Sequence, residues 1–345
     1  MKALKKKHYI ILASALLLLA IAGFVYSVYC QMNAPLLTAS DTQYLYIDDD
    51  DTADSVFTKL VPMSTKNGMK GLRRLAAHYD YDQNLRTGRY AISPQTSVVN
   101  VFRQLRNGQQ EPVKLTLPSV RTMDRMAAKL AAKLMLDSAT ISRALYDDTY
   151  CHDLGYDTTT IACLFIPNTY EVYWNTTLET FMQRMSKEHD VFWNADRRQK
   201  ASEQGLTPNE VTTLASIIDE ETANDAEKPM IAGMYLNRLR RGMLLQADPT
   251  VKFALKDFTL RRILNKHLEV ESPYNTYKNK GLPPGPIRVA SVAGIEAVLN
   301  PVASDYLYMC AKEDFSGTHN FARTLNEHMQ NARRYQQALN KRGIK

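Results

Sequence analysis

The segment TPNEVTTLASIIDEET, residues 207–222, predicts the central helix of the fold. Thr207, Pro208 and Glu210 form a helix start, with a capping threonine, a proline at the first helical position and a glutamate three residues after the cap. Five apolar side chains then follow at helical spacing: Val211, Leu214, Ala215, Ile217 and Ile218. We therefore predict an amphipathic helix that ends in three consecutive acids, residues 219–221.

Helical phase separates Glu221 from its two acidic neighbours. At ~100° per residue, Glu221 lies about 50° from the centre of the apolar face. Asp219 and Glu220 lie about 110° and about 150° away, and we expect them to point toward solvent or the rim. A carboxyl group in a partly apolar setting has a raised pKa and can donate a proton near neutral pH. The competing interpretation is that Glu221 pairs with a cation such as Arg238.

The residues downstream of this helix suit a carbohydrate. Residues 227–241 predict a second helix with an apolar stripe of Ile231, Met234, Tyr235, Leu236 and Leu239. Polar and aromatic residues follow at 245–250 and 274–277, beside a Pro/Gly-rich loop at 281–287. Aromatic faces stack on sugar rings, and Asn, Gln and Thr side chains bond sugar hydroxyls. The alternative is a structural turn whose base is packed by the tyrosines.

The N-terminus carries an uncharged stretch of 21 residues, 9–29. About 20 apolar residues are needed to cross a bilayer as a helix. Four lysines precede the stretch, so residues 1–8 are expected to form a cytoplasmic tail and the rest of the chain to lie on the far side. A cleaved signal peptide is the alternative, but no clear small-x-small site precedes Cys30.

Charge and cysteine content exclude some functions. The formal net charge is +7, and four of these charges lie on lysines before the apolar stretch, leaving +3 on residues 30–345. Nucleic-acid binding is therefore not indicated. Cys151 and Cys163 could form a disulfide or remain unpaired, since spacing does not decide. Together with His152 they supply too few ligands for a zinc site.

Two domains are predicted beyond the membrane segment. Residues 30–43 have the composition of a short polar tether. Residues 44–117 predict a small α+β module. Its helices are expected near 53–60, at 70–78, and from after Ser93-Pro94 to the stop at Asn107-Gly108; a turn with a short strand is expected at 87–92 and a strand at 113–117. Residues 118–345 predict a second domain with mixed α/β character. For the whole chain, the α+β module and this second domain together predict the α+β fold class.

Five motifs in this order resemble the endolytic murein transglycosylases, the MltG or YceG-like family: residues 215–222, 237–239, 245–250, 274–277 and 281–285. The closing residues 318–321 and His328 are also similar to that family. The chain departs from the family at Asp219, where Glu is frequent, and at Asn320 in the closing motif. The resemblance covers essentially the whole chain and is densest from residue 160 to residue 330.

The resemblance implies a fold and a site. It implies a LysM-like module at 44–117 and a lytic-transglycosylase-like catalytic helix in 118–345. It places the anchor 9–29 in a bacterial cytoplasmic membrane and the catalytic domain outside, beside peptidoglycan synthases. The family's catalytic glutamate corresponds to Glu221. The weaker substrate-binding expectations are Gln246, Asp248, Thr250, Tyr274, Asn275, Tyr277 and His319.

The implied reaction is non-hydrolytic cleavage of peptidoglycan glycan strands. One carboxyl group protonates the glycosidic oxygen and then removes a proton from the muramyl C6 hydroxyl, which closes on C1 and gives a 1,6-anhydro end. This chemistry requires neither a metal nor an organic cofactor. Two alternatives remain: a lysozyme-type hydrolase, which ordinarily uses two carboxyl groups, and a non-catalytic wall-binding scaffold for synthases.

Overall fold

The computed structural model describes residues 2–260 and 262–343. The protein divides into two compact units. Unit 1 runs to Lys114 and includes Glu171–Thr176, and unit 2 contains Leu115–Tyr170 and the residues from Thr177 onward. Residue 1 of the predicted cytoplasmic tail and residues 261 and 344–345 of the predicted catalytic domain lie outside the described residues. Helices and short strands occur in both units, so the fold is mixed α+β.

Unit 1 begins with a long apolar helix, α1 (Lys2–Asn33). Among the described residues, its Lys7–Asn33 portion is long and apolar enough to cross a membrane. Large apolar side chains along it, such as Leu17 and Phe24, are exposed. The predicted segment 9–29 lies within this helix, which confirms a single N-terminal apolar helix in the described chain.

The rest of unit 1 packs helices on a two-stranded sheet. Its elements are β1 (Gln43–Ile47), α2 (Ala53–Leu60), α3 (Lys66–His78), β2 (Gly88–Ile92) and α4 (Val98–Asn107), with short 3-10 helices at Val61–Met63 and Tyr81–Asn84. The strands pair antiparallel, with Leu45 opposite Tyr90 and Ile47 opposite Gly88. Because side chains alternate across a strand, Leu45, Ile47 and Tyr90 share the buried face. The three helices contribute to the same hydrophobic core.

Residues 30–43 differ from the predicted tether. Helix α1 continues through Asn33, and Leu36 and Leu37 are buried in the core of unit 1. The backbone of Leu36 accepts a hydrogen bond from Thr65 N (2.8 Å) and donates one to Thr96 O (3.1 Å). Two adjacent leucines do not make a helical or strand pattern. Because the rest of the segment is mostly polar, nothing in the sequence indicated that these leucines are buried. The segment is therefore partly integrated into the unit.

Unit 2 is mainly helical. Its helices are α5 (Met123–Ala131), α6 (Ser138–Leu145), α7 (Asp148–Asp153), α8 (Leu178–Phe192), α9 (Ala195–Glu203), α10 (Pro208–Glu221), α11 (Lys228–Arg240), α12 (Asp248–Ala254), α13 (Asn265–Leu268), α14 (Val292–Leu299) and α15 (Leu325–Lys341), with a 3-10 helix at Ile161–Leu164. The division between the units falls within two strands, β3 (Val113–Thr116) and β4 (Thr169–Val172). In unit 2, β5 (Tyr308–Ala311) pairs antiparallel with β6 (His319–Ala322). In the described chain the strands form only short two-stranded ladders, so helices and strands do not alternate as in an α/β domain.

The cysteines are unpaired in this structure. Cys151 and Cys163 are buried, and the thiol of Cys151 contacts the carbonyl oxygen of Leu145 at 3.5 Å. Burial raises the pKa of the Cys151 thiol to about 11, which keeps it protonated and unreactive near neutral pH. The disulfide that the spacing left open is therefore absent here, and both thiols serve as small buried side chains.

Helix α10 lies in the core of unit 2, and its middle portion is buried on every side. Its capping box is present, with Thr207 accepting from Glu210 N and the Glu210 side chain accepting from Thr207 N. Every residue from position 211 to position 218 is buried, including two threonines and a serine. The hydroxyls of Thr212 and Thr213 donate to carbonyls one turn back at 2.9 and 2.8 Å, which makes their burial tolerable. Residues 211–218 are therefore covered on all sides, and not only on the single apolar face that the sequence predicts.

Helices α11 and α14 pack directly against α10 and complete the core around it. Helix α11 also passes close to the segment that follows α14. A side chain at Gly233 would collide with the carbonyl oxygen of Val302. Glycine is therefore required on this face of α11 by close approach of backbone and not by backbone torsion.

Candidate active site

The three acids at the end of α10 point to three different surroundings. Asp219 accepts hydrogen bonds from the backbone N–H and hydroxyl of Ser291, at 2.6 and 2.7 Å, and pairs with Lys228 at 2.7 Å. Its side chain is 3% exposed. The expectation that Asp219 points to solvent or the rim is wrong. This carboxylate joins the end of α10 to the starts of α11 and α14.

Glu220 is held by two arginines. Arg121 forms a bidentate pair with its carboxylate, with both N···O distances 2.7 Å, and Arg288 approaches at 3.0 Å. The side chain of Glu220 is 10% exposed, so it too is more enclosed than expected. Glu220 therefore ties the end of α10 to Arg121 and Arg288.

Glu221 is the acid without a cationic partner in the described chain. Among the described residues, its hydrogen-bond partner is the hydroxyl of Tyr235, which donates to Oε1 at 2.7 Å. The side chain borders a cavity of about 250 Å³, while its carboxyl group lies deep among protein atoms. The alternative pairing with Arg238 does not occur, because the guanidinium bonds the backbone carbonyls of Leu245 and Leu307.

Burial raises the pKa of Glu221 to about 7. The hydrogen bond from Tyr235 and the charges of His319 and Lys252 act in the opposite direction, whereas the carboxylate of Asp248 raises the pKa further. Desolvation disfavours the charged form of a carboxyl group and is the largest effect here. Near neutral pH, Glu221 therefore exists in both its acid and its carboxylate form.

A tyrosine–aspartate pair forms another part of the cavity wall. The hydroxyl of Tyr277 donates to Asp248 Oδ1 at 2.6 Å, and both residues border the cavity. Gln246 also lines it and has a positive φ of 51°, an uncommon conformation for a residue other than glycine. The Gln246 backbone is fixed by its N–H, which donates to Thr276 O at 3.1 Å. Gln246, Asp248 and Tyr277 therefore line the same cavity as Glu221.

His319 lines the same cavity from β6 and is held by Glu227 at the start of α11. Glu227 accepts from the backbone N–H of His319 at 2.6 Å, and its second oxygen contacts the ring Nδ1 at 2.9 Å. The two side chains are 15% and 9% exposed. A carboxylate on Nδ1 favours the proton on that nitrogen and fixes the orientation of the ring. The imidazole that lines the cavity is therefore held in one orientation by Glu227.

Three predicted site residues do not border the cavity. Thr250 is fully buried and bonds Ala247 O at 2.7 Å. Asn275 is also fully buried and donates to the carbonyl oxygens of Leu268, the last residue of α13, and of Val270, at 2.8 and 2.9 Å. Tyr274 packs on Phe253 with ring centroids 4.7 Å apart and lines a separate cavity of about 480 Å³. These side chains support the loops, as the structural-turn alternative proposed.

Sequence reasoning missed Tyr235 and Glu227. Tyr235 was counted in the apolar stripe of α11, and Glu227 was treated as a helix start. A tyrosine hydroxyl in a buried stripe needs a hydrogen-bond partner, and this was the available signal for Tyr235. A larger cavity of about 810 Å³, between α11 and the segment 301–306, contains none of the predicted site residues.

The cavity brings polar side chains together with Glu221, a carboxyl group whose pKa burial raises to about 7, and such an arrangement suits acid–base chemistry on a polar ligand. The chain belongs to the YceG-like family, whose profile matches residues 45–334. This confirms the resemblance seen in the sequence.

Individual relatives agree with this assignment. A Bacillus subtilis protein named endolytic murein transglycosylase is 38% identical over 171 residues, which are 49% of this chain and 46% of that protein. A Streptococcus pneumoniae protein of the same name is 30% identical over 270 residues, covering 68% of this chain and 48% of that protein. The chain spans about half the length of these curated relatives. A crystal structure of a YceG-like protein from Listeria monocytogenes, 30% identical, aligns with a TM-score of 0.56 over 85% of this chain and 99% of that one.

Proposed function

We propose that the chain is an endolytic peptidoglycan lytic transglycosylase. It cleaves the β-1,4 bond between MurNAc and GlcNAc without water and leaves 1,6-anhydro-MurNAc ends. The observation that carries this proposal is the environment of Glu221. Its carboxyl group lies at the wall of a cavity, accepts a hydrogen bond from Tyr235 and pairs with no cation among the described residues. Burial raises the pKa of this carboxyl group to about 7. The relatives named endolytic murein transglycosylase support the substrate and the reaction.

One carboxyl group serves both halves of this reaction. Protonated Glu221 gives its proton to the glycosidic oxygen as the C1–O bond breaks. The resulting carboxylate then takes the proton of the C6 hydroxyl, whose oxygen bonds to C1. Glu221 is therefore protonated again at the end of the reaction, as it was at the start. A pKa near 7 suits both roles because donation and recovery of the proton are then nearly balanced at neutral pH.

The other cavity residues have roles in binding and charge. Asp248 bears negative charge toward the cavity and stabilises the oxocarbenium-like sugar, with Tyr277 fixing its carboxylate. Gln246 and the oriented imidazole of His319 bond polar substituents of the glycan. Thr250, Tyr274 and Asn275, expected at first to bind substrate, act here through the loops that carry Gln246, Asp248 and Tyr277.

The wider assignment follows the same family. Residues 44–117 form a LysM-like module, supported by the separate core of unit 1, and residues 118–345 form the catalytic domain with α10 as its catalytic helix. Helix α1 anchors the chain in the bacterial cytoplasmic membrane, with a cytoplasmic N-terminus and the catalytic domain outside. There the enzyme ends nascent glycan strands beside peptidoglycan synthases.

The test compares the full-length protein with its Glu221→Gln variant on purified sacculi, with soluble muropeptides identified by mass. The native protein should release anhydro-muropeptides, and the variant should not. Glu203→Gln, in the exposed end of α9, is the matched control and should retain full release. Release by the Glu221→Gln variant at the native rate would refute the proposal.

The products also separate the two alternatives. Reducing muramic acid ends would identify a lysozyme-type hydrolase, which requires a water-activating or nucleophilic second carboxylate. Asp248 is the cavity carboxylate available for that role. Binding to sacculi without release of any fragment by the native protein would instead identify a wall-binding scaffold.

A further inference from the structure

Tyr235 has a contact that its place in an apolar stripe does not explain. It is 2% exposed and lies in the middle of α11. Its hydroxyl reaches the last residue of α10 and donates to Glu221 Oε1 at 2.7 Å. The other carboxyl oxygen, Oε2, has no hydrogen-bond partner among the described residues. The two oxygens of Glu221 are therefore in different surroundings before any substrate binds.

The hydroxyl of Tyr235 is a permanent donor. Burial raises the pKa of Tyr235 well above its ordinary value, and the nearby carboxylate of Glu221 raises it further. The phenol thus keeps its proton at every pH at which the protein is expected to work. A protonated carboxyl group accepts such a bond on its carbonyl oxygen and carries its own proton on the other oxygen.

We infer that Tyr235 is a positioning residue that reserves Oε1 of Glu221 as an acceptor and makes Oε2 the oxygen that exchanges the proton. This inference rests on the proposed transglycosylase function. In the first step the Oε2–H bond breaks, a proton joins the glycosidic oxygen, and the C1–O bond breaks. In the second step Oε2 takes the C6 hydroxyl proton while the C6 oxygen bonds to C1. Tyr235 keeps its proton throughout.

The hydrogen bond also favours the intermediate state. A bond to a carboxylate is stronger than a bond to a neutral carboxyl group. Tyr235 therefore stabilises Glu221 more after proton donation than before it, and this difference lowers the barrier to the first step. The other ionisable groups that face the pair are Arg238 on α11, Asp248 and Lys252 on α12, Tyr277 after α13, and His319 on β6. They remain in place when only the phenol oxygen is removed.

The first test is Tyr235→Phe in the full-length protein, assayed by release of anhydro-muropeptides between pH 5 and pH 9. Loss of a hydrogen bond to a charged group predicts a fall in kcat of about 10- to 100-fold, with KM for sacculi nearly unchanged. The bond lowers the pKa of Glu221. Its loss should therefore move the high-pH decline in rate to higher pH.

The matched control is Tyr170→Phe. Tyr170 is also buried in unit 2 and donates its hydroxyl to a backbone carbonyl, Ile166 O, at 2.7 Å. Removing this hydroxyl should affect stability and leave the pH profile unchanged. A second variant retains the ring and the hydroxyl: 3,5-difluorotyrosine placed at position 235 by codon suppression. Its more acidic phenol is a stronger donor, so the high-pH decline should move to lower pH.

The outcomes separate this inference from the proposed function. A Tyr235→Phe variant with native kcat and a native pH profile would overturn the role of Tyr235, even if Glu221→Gln is inactive. Equal pH profiles for the fluorinated and native proteins would do the same should the phenylalanine variant fail to fold. If Glu221→Gln keeps native activity, the proposed function itself fails.

Discussion

Replacing Glu221 with glutamine should stabilise the protein at alkaline pH while abolishing cleavage. Burial, the largest effect, raises the pKa of this carboxyl group from 4.5 to about 7. Between these two values the folded protein keeps a proton that the unfolded chain releases. The free energy of unfolding therefore falls as pH rises from about 4.5 to about 7, and the loss is complete above that pH.

The size of this effect follows from the same pKa. One pKa unit corresponds to ~1.36 kcal/mol, so the ionisable side chain costs about 3 kcal/mol of stability at pH 8. Glutamine has nearly the same shape, never ionises, and accepts the Tyr235 hydrogen bond through its amide oxygen. We expect the free energy of unfolding of the Glu221→Gln variant to exceed that of the native protein by about 2–3 kcal/mol at pH 8. Near pH 4 the two free energies of unfolding should be equal.

Urea unfolding of the full-length protein in detergent, followed by tryptophan fluorescence at pH 4, 6 and 8, measures this difference. Trp193 is buried in the core of unit 2 and reports its unfolding. Glu220→Gln is the control, and its effect on the free energy of unfolding should have the opposite sign, because it leaves Arg121 and Arg288 without their shared carboxylate. It should destabilise the protein at pH 8. A Glu221→Gln variant no more stable than the native protein at pH 8 would refute the reasoning.

Further predictions concern the surroundings of Glu221 and the packing of α11. Asp248→Asn removes a charge that raises the pKa of Glu221, so the high-pH decline in release rate should move to lower pH; an upward move would contradict this. Glu227→Gln loosens the ring of His319 and should raise KM for sacculi more than it lowers kcat, unless the imidazole makes no contact with the glycan. Gly233→Ala places a methyl group against a backbone carbonyl and should lower stability by about 1–3 kcal/mol in thermal melts.

Much of the helical framework was predictable from local signals. The capping box at residues 207–210 set the start of α10, and Gly108 marked the end of α4. The phase argument placed Glu221 toward the protein but placed Asp219 and Glu220 wrongly. It assumed that polar side chains mark solvent, whereas α10 buries Thr212 and other hydroxyl residues whose bonds are satisfied within the helix.

The partners of the site could not be read from spacing. Glu220 meets Arg121 from 99 positions earlier, and Asp219 meets Ser291 from 72 positions later. No local pattern encodes such contacts. The loop motifs predicted that Asn275 would face a ligand, but its amide nitrogen donates to two backbone carbonyls and its amide oxygen accepts from the backbone N–H of Tyr277. The backbone carbonyls of a buried loop need hydrogen-bond partners, and polar side chains of the same loop often supply them.

The three adjacent acids of α10 also constrain how this chain can change in length. Their partners are a lysine with a serine, two arginines, and a tyrosine, for Asp219, Glu220 and Glu221 respectively. A one-residue insertion or deletion within α10 would turn each acid by about 100° and give every one of them the wrong partner. Gaps in alignments of related chains should therefore fall before the helix cap or after the helix end, and never inside it.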